Sequence, residues 1–290
     1  MACAAALAHC ERSEEGRVRL IVSLVTHEPE LAELARTLDS LGAALRRVPD
    51  WDRRVLLVLN GSERVAAIAG LARAAGLDRD GIRLTLDKPG QNLGFGRAHN
   101  RVLRLLGTPR DADRLLILNP DVVQHETAIA NALQHLRDHP ESVAVSPRAA
   151  YEDGTRQYLC KRYPSLLDFA LRGFAPAPLR RLFATRLAHY EMRGETEERV
   201  VAGVELISGC WLLCRATAFA ALGGFDAGYF LYFEDYDLSL RLRRLGRLDY
   251  LPDARIVHLG GHAARKGWRH RWLFLRSARR FFASHGWRLA

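Results

Sequence analysis

Between Val18 and Ser146, short apolar runs alternate with segments of helical periodicity, and this alternation constrains the fold more than any other feature. The runs are VRLIVSLVT (18–26), RVLLVLN (54–60), the weaker IRLTL (82–86), RLLILN (114–119) and SVAVS (142–146). Helical segments lie between them at 29–48, with Pro29 at the start, at 63–76, after Gly96 and at about 124–138. Strands that alternate with helices predict a mostly parallel, Rossmann-like central sheet covered on both faces by helices.

Open sheets of this kind bind ligands beyond the carboxyl ends of their strands. That rule selects Thr26-His27-Glu28, Asn60-Gly61-Ser62 and Asn119-Pro120-Asp121 as a polar rim. Further on the pattern changes. Residues 151–200 read as an irregular, partly helical insertion. An apolar strand follows at 204–214, then an acidic helix at about 234–245 and short strands at 248–251 and 255–258. The end, 268–285, interleaves Trp, Phe and Leu with Arg at helical spacing, and no internal repeat is visible.

Charge and cysteine usage narrow the class. The net charge is +10, and no Asp or Glu follows Asp253, whereas nine Lys or Arg do. A basic end of this kind favours a polyanion: nucleic acid, an anionic membrane surface or a diphosphate. The five cysteines form no CxxC pair, which fits reduced thiols in a cytosolic protein better than a disulfide framework or a zinc site. MACAAALAHCERSEEG lacks a basic n-region, so 1–17 reads as a mobile tail, not a signal peptide. No apolar run approaches the roughly 18 residues that span a bilayer, so any membrane contact is expected to be peripheral.

Individual motifs each carry a structural reading beside a chemical one. Asp121, just past a buried strand, can hold a divalent cation whose other ligands are substrate phosphates; it can equally cap the next helix. GQNLGFGRAHN (90–100) can bring backbone amides to a phosphate or ribose, or simply turn into a helix. In FLYFEDYDLSLRL (230–242), Glu234, Asp235 and Asp237 suit the first turn of a helix, where the macrodipole favours negative charge. The preceding aromatics would instead desolvate a carboxylate and raise its pKa toward that of a general base. His258 closes an apolar strand and matters only if the fold brings it to Asp121.

In their order along the chain these segments are far more specific. Thr26, Asn60-Gly61-Ser62, NLGFGRAHN, LNPDV, GGFDAGYFLYFEDYDLSLRLRRLG and LPDARIVHLGG together resemble glycosyltransferase family 2, the inverting GT-A type, and most of all its rhamnosyltransferase-like members. The resemblance runs from about Val18 to about Trp287. It implies a GT-A domain over 18–262, with a nucleotide-sugar half (18–121) and an acceptor half (122–262), followed by a basic aromatic segment (263–290) packed on it. It also implies a nucleotide-sugar donor, a divalent metal (Mg²⁺ or Mn²⁺) and single displacement with inversion. Asp121 matches the metal-binding acid of the family's DxD motif, with Asn119 a departure from the strict form. His258 matches a position that adds a metal or diphosphate contact in some members. Asp235 matches the catalytic base, and Glu234 is expected to position the acceptor. Thr26, Glu28, Asn60, Ser62, Asn92, Gly94, Gly96, Asn100 and Asn119 are expected on the donor side. Leu59, where members often carry Asp, and Glu28, where they often carry Asn, are departures that fall together on the nucleoside side.

The implied reaction moves a sugar, L-rhamnose from dTDP-rhamnose in the first reading, to a hydroxyl of a growing, lipid-linked bacterial surface glycan. A UDP- or GDP-sugar is the alternative donor. The implied location is cytoplasmic, peripheral at the inner face of the membrane. The Trp- and Phe-containing basic end is then expected either to rest on an anionic membrane or to pack its aromatics on the core, and Arg276 or Arg279 to reach a diphosphate. A sugar-nucleotide-forming nucleotidyltransferase is rejected, because THEPE stands where those enzymes carry a Gly-rich loop. A carbohydrate-binding protein without catalysis is disfavoured by the presence of both Asp121 and Asp235, and no nucleic-acid motif supports a nucleic-acid partner.

Overall fold

The first four strands lie side by side and point the same way. In the computed structural model, which describes residues 17–173, 175–260 and 268–290, β1 (Arg19–Thr26), β2 (Asp52–Leu59), β3 (Ile82–Asp87) and β4 (Arg114–Leu118) pair in parallel in the order β3-β2-β1-β4. All but the last residue of the tail expected at 1–17 lies outside the described residues, as do Arg265 and Lys266 of the basic end. The register places Thr26 beside Leu59 and Leu24 beside Leu118, so the strand ends emerge on one edge. Residues of β1 alternate between two cores. Leu20, Val22 and Leu24 join one cluster, and Ile21 and Val25 join the other on the opposite face. Helices α1 (Leu31–Arg46) and α2 (Val65–Ala74) follow the first two strands. α1 buries Leu34, Leu38, Leu41 and Leu45, a stripe at helical spacing. The helix expected after Gly96 is two short ones, α3 (Phe95–His99) and α4 (Val102–Leu106).

Beyond β4 the sheet becomes mixed. β5 (Val122–Gln124), absent from the sequence reading, comes directly after Asp121, and α5 (Ala128–Asp138) leads into β6 (Ser142–Ala150). The insertion contributes β7 (Arg156–Gln157), β8 (Cys160–Lys161), α6 (Leu166–Gly173), α7 (Ala177–Leu182), α8 (Ala184–Tyr190) and β9 (Val201–Ala202). The run at 204–214 is divided: β10 (Leu206–Ile207) leaves the main sheet to pair with β8, and β11 (Trp211–Arg215) enters it antiparallel to both β4 and β6. After α9 (Ala216–Ala221) and α10 (Glu234–Leu242), the two strands expected at 248–251 and 255–258 form one strand, β12 (Arg247–His258). It runs parallel to β6 with a register shift between Leu251 and Arg255, where Pro252 has no N–H for the ladder. β12 also pairs antiparallel with β5, which carries His258 to the residue next to Asp121.

A third cluster lies off the sheet. Tyr229, Phe233, Phe281 and Phe282 are buried together, with Tyr163, Phe169, Tyr232, Tyr236 and Phe274 packed around them. The two C-terminal phenylalanines belong to α11 (Trp268–His285), so part of the aromatic end packs onto the segment that precedes Asp235. Burying one such Phe contributes about 1.5–3 kcal/mol.

Candidate active site

Asn119-Pro120-Asp121 sits where β4 ends, and its backbone is tied down on both sides. Asn119 N–H donates to the Cys210 carbonyl (2.8 Å), and Leu259 N–H donates to the Asp121 carbonyl (2.8 Å). The β5–β12 pairing brings His258 Nε2 to 3.4 Å from Asp121 Oδ1. The other ring nitrogen, Nδ1, lies 2.9 Å from Gln157 Oε1, an acceptor, and so carries the proton. Asn119 Oδ1, Asp121 Oδ1 and His258 Nε2 are all buried and make no hydrogen bond. Across the 3.4 Å between Asp121 Oδ1 and His258 Nε2, either a proton on the ring, which attracts the carboxylate, or a cation can satisfy both atoms. Burial works to raise the Asp121 carboxyl, but His258 and the Asn119 amide outweigh it and hold it below the ordinary carboxylate range. A β-carbon on Gly260 would overlap the Asp121 carboxylate, so only glycine leaves that oxygen accessible.

These O and N donors fit a hard divalent cation. Among the described residues no group of three or more His, Cys, Asp or Glu could hold a metal ion, so a cation at Asp121 and His258 would take its remaining ligands from water and a diphosphate.

Asp235 lies in the first turn of α10. Its Oδ2 accepts from Gly209 N–H (3.1 Å) and its Oδ1 from Tyr236 N–H (2.9 Å). Burial raises its pKa, and the two amides pull downward without cancelling the rise, so desolvation prevails over the helix terminus. Glu234 is buried, and Oε2 has no hydrogen-bond partner. Burial, followed by the charge of Asp235, raises its carboxyl well above the ordinary value.

The approach to α10 is strained. Tyr232 (φ 71°) and Phe233 (φ 66°) are consecutive left-handed aromatic residues, each costing about 1–3 kcal/mol and persisting only where the surroundings impose it. Here they do. Phe95 N–H donates to Phe230 O (2.9 Å), Ser277 Oγ donates to Leu231 O (2.8 Å), and Tyr232 OH lies 2.9 Å from His270 Nδ1. Phe233 is enclosed by Phe169, Phe274 and Phe281, with ring centroids 5.1, 5.1 and 5.4 Å away. Asp237 pairs with Arg241 (2.7 Å), as expected, and also with His285 of α11 (2.8 Å).

Ser208-Gly209-Cys210, the break between β10 and β11, joins the two acids. Gly209 binds the Asp235 carboxylate, and the next carbonyl binds the Asn119 amide. Burial pushes the Cys210 thiol up to about 12 against the pull of its Ser208 hydrogen bond, and the charges of Asp121 and Asp235 both add to the rise. The sequence reading passed over this bridge; its one signal is Gly209 inside an otherwise apolar run. Gln157, which orients His258, carried no signal of its own, and Gly260, which exposes Asp121, was visible only as part of LPDARIVHLGG.

The expected donor-side residues form a connected rim in which most side chains are already engaged. Thr26 Oγ1 donates to Val58 O (3.3 Å), and Thr26 O accepts from Asn60 N–H (2.8 Å). Asn60 Nδ2 donates to Asn92 Oδ1 (3.0 Å) and Gly94 O (3.3 Å), while Asn60 Oδ1 accepts from Leu93 N–H (2.8 Å). Asn92 Oδ1 also accepts from Gly94 N–H (2.8 Å). Asn100 clamps the main chain of Phe225, donating to its O and accepting from its N–H, both at 2.8 Å. Gly94, at φ 81°, and Gly96 permit close approach to Phe230 and Phe225. Ser62 Oγ accepts from Arg64 N–H (3.2 Å), and Glu28, at φ 47°, accepts from Glu63 N–H (3.4 Å) with its side chain half-exposed.

The chain is 34% identical over 253 residues to the N-acetylglucosaminyl-diphospho-decaprenol L-rhamnosyltransferase of Mycobacterium tuberculosis (strain ATCC 25618 / H37Rv), covering 84% of this chain and 77% of that protein. It belongs to the rhamnosyltransferase-like glycosyltransferases of family 2. This glycosyltransferase is also 28% identical over 176 residues to rhamnosyltransferase WbbL of Escherichia coli (strain K12), covering 58% of this chain and 62% of that one. No protein-family profile matches it. Among solved structures it is similar to mannosyltransferase PcManGT of Pyrobaculum calidifontis in complex with GDP-Man and Mn²⁺, with a TM-score of 0.54 and 18% identity over 93% of this chain and 76% of that one. It is also similar to GalNAc-T7 with UDP, GalNAc and Mn²⁺, with a TM-score of 0.59 and 14% identity over 85% of this chain and 44% of that one. These likenesses establish the GT-A fold that the sequence resemblance implies.

Proposed function

We propose that this glycosyltransferase moves L-rhamnose from dTDP-L-rhamnose to a hydroxyl of a lipid-linked bacterial surface glycan, by single displacement with inversion. The observation that carries the reading is the bridge Ser208-Gly209-Cys210, which binds the Asp235 carboxylate through Gly209 N–H and, through the Cys210 carbonyl, the backbone N–H of Asn119 at the start of the turn that carries Asp121. The relatives' names, an N-acetylglucosaminyl-diphospho-decaprenol L-rhamnosyltransferase and a rhamnosyltransferase, support the sugar and the lipid-linked acceptor.

In this reading Asp235 takes the proton of the acceptor hydroxyl as that oxygen forms its bond to the anomeric carbon. The bond from that carbon to the diphosphate oxygen breaks, and its electron pair leaves with the nucleoside diphosphate. Gly209 N–H and Tyr236 N–H fix the Asp235 carboxylate for this step, while its desolvation keeps it basic. Asp121 and His258, with Asn119 beside them, would hold Mg²⁺ or Mn²⁺, which when bound neutralises charge on the leaving diphosphate. Glu234, buried and raised, keeps its proton and positions the acceptor. Thr26, Asn60, Asn92 and Asn100 shape the donor rim through the hydrogen bonds they make within the chain, and Glu28, Ser62, Gly94 and Gly96 border it. Residues 18–121 then form the nucleotide-sugar half and 122–262 the acceptor half. The enzyme works in the cytoplasm, peripheral at the inner face of the membrane, without a nucleic-acid partner. Among the described residues no helix is long and apolar enough to cross a membrane.

A UDP- or GDP-sugar is the second reading, because Leu59 and Glu28 depart from the family pattern on the nucleoside side. The test is release of nucleoside diphosphate from dTDP-rhamnose, UDP-sugars and GDP-sugars with a lipid-linked acceptor, with and without Mg²⁺ or Mn²⁺. Metal-dependent release from dTDP-rhamnose alone is expected. Release from a UDP- or GDP-sugar instead moves the donor to the second reading. Neither release nor donor binding across the panel overturns the proposal.

A further inference from the structure

Helix α11 has two different faces. Its inner face buries Ser277, Ala278, Phe281 and Phe282, meets the segment before Asp235 through Ser277 and His270, and meets Asp237 through His285. Its outer face carries Trp268, Trp272, Leu275, Arg276 and Arg279, spaced so that they form one stripe along the helix. Trp268 is 75% exposed, Trp272 55% and Leu275 56%. Arg271, Arg276 and Arg279 are exposed among them, and the Arg276 guanidinium stands 5.4 Å from the Trp272 ring centre.

We propose that this outer stripe seats the enzyme on an anionic phospholipid bilayer. The inner face already supplies the helix's packing on the core, and Trp272 and Leu275 stay more than half exposed on the outer one. Trp with Arg on one helix face matches the boundary between acyl chains and negative headgroups. Charge complementarity selects the partner: no Asp or Glu follows Asp253, so the stripe has no acid of its own segment to neutralise it. The inner face of the same helix holds Tyr232 and Phe233 in their left-handed conformation, so the bilayer seat and the Asp235 turn are two sides of one element. The inference deepens the lipid-linked-acceptor reading and depends on it for its purpose, but its test does not require turnover.

The full chain is sedimented with vesicles of phosphatidylcholine alone or mixed with phosphatidylglycerol. Binding to the mixed vesicles is expected, with little to the neutral ones, falling as salt rises. Trp272→Ala with Leu275→Ser, and separately Arg276→Glu with Arg279→Glu, are expected to reduce binding roughly tenfold or more, because each removes part of the interfacial or electrostatic attraction. All of these side chains are exposed, so the melting temperature should not move. No preference for anionic vesicles, or variants that bind like the parent, overturns the seat. A lipid-free dimer that Trp272→Ala with Leu275→Ser dissolves also overturns it, by giving the stripe to a second copy. Turnover of a water-soluble acceptor, read without vesicles, separates the two ideas: if it persists while vesicle binding fails, only the seat falls, and the reverse outcome removes the transferase reading alone.

Discussion

Asp235 stands where a helix terminus favours a charged carboxylate, yet its pKa is raised, because burial opposes the charge more strongly than Gly209 and Tyr236 N–H support it. Glu234 is raised for the same first reason. In both, the folded state holds a proton that the unfolded chain releases at lower pH. Their contribution to stability is therefore fully present below the ordinary carboxylate pKa and is lost as pH rises through the raised, folded value. Asp235→Asn removes that loss. It is expected to raise the melting temperature at neutral pH, by roughly 2–4 °C for each kcal/mol regained, and to leave it unchanged near pH 4. The same variant should lower kcat by about 10²–10⁴-fold, since a positioned general base is worth that much. Stability that rises while activity falls would mark a strained functional carboxylate; equal effects at both pH values would deny the raised pKa. A second residue-scale expectation concerns Gly260, which has no function that its type announces. Gly260→Ala drives a methyl group into the Asp121 carboxylate. Titration with Mn²⁺ in the presence of a nucleoside diphosphate should show weakened binding, with far-UV circular dichroism unchanged.

The elements around the site differ in how plainly the sequence announces them. β1, β2 and β4 were legible nearly to their ends, because strands buried on both faces leave continuous apolar runs, and α10 was legible from its acidic first turn. The turn that feeds α10 was not. Bulky aromatics ordinarily avoid positive φ, and what imposes it on Tyr232 and Phe233 is the packing of α11, remote in sequence. The division of 204–214 was hidden for a similar reason, since Ser239 Oγ accepts from Ile207 N–H and donates to Ile207 O from α10 while Gly209 turns to Asp235. Asn60, Asn92 and Asn100 read naturally as donor ligands because their internal partners could not be foreseen. Two variants test these supports. Asn100→Ala leaves both main-chain polar groups of Phe225 unmatched and should cost about 1–3 kcal/mol in a denaturant titration. Phe281→Ala, in the third cluster, should cost about 3–5 kcal/mol and lower kcat as well, because the Asp235 turn loses the ring that packs against Phe233.

At the scale of the whole molecule, a parallel half that ends in Asn60 and Asn119 meets a mixed half that supplies Asp235 and His258, and β11 is the strand between them. The parallel half could be anticipated from alternation alone. The mixed half could not, because short strands such as β5 and β10 leave no periodic signal and are fixed by pairing partners remote in sequence. Since both halves contribute to the metal and donor site in the proposed reading, Mn²⁺ with nucleoside diphosphate at 100 times the dissociation constant should stabilise the folded chain by about 2.7 kcal/mol. The central claim is a division of labour: Asp121 holds the cation and donor, and Asp235 removes the acceptor proton. The most direct test is a single-turnover experiment with pre-bound donor on Asp235→Asn and Asp121→Asn. Asp235→Asn should bind donor and Mn²⁺ as the parent does and transfer sugar about 10²–10⁴-fold more slowly, whereas Asp121→Asn should lose metal-dependent donor binding. Transfer by Asp235→Asn at the parental rate, or metal-dependent binding retained in Asp121→Asn, would contradict the account.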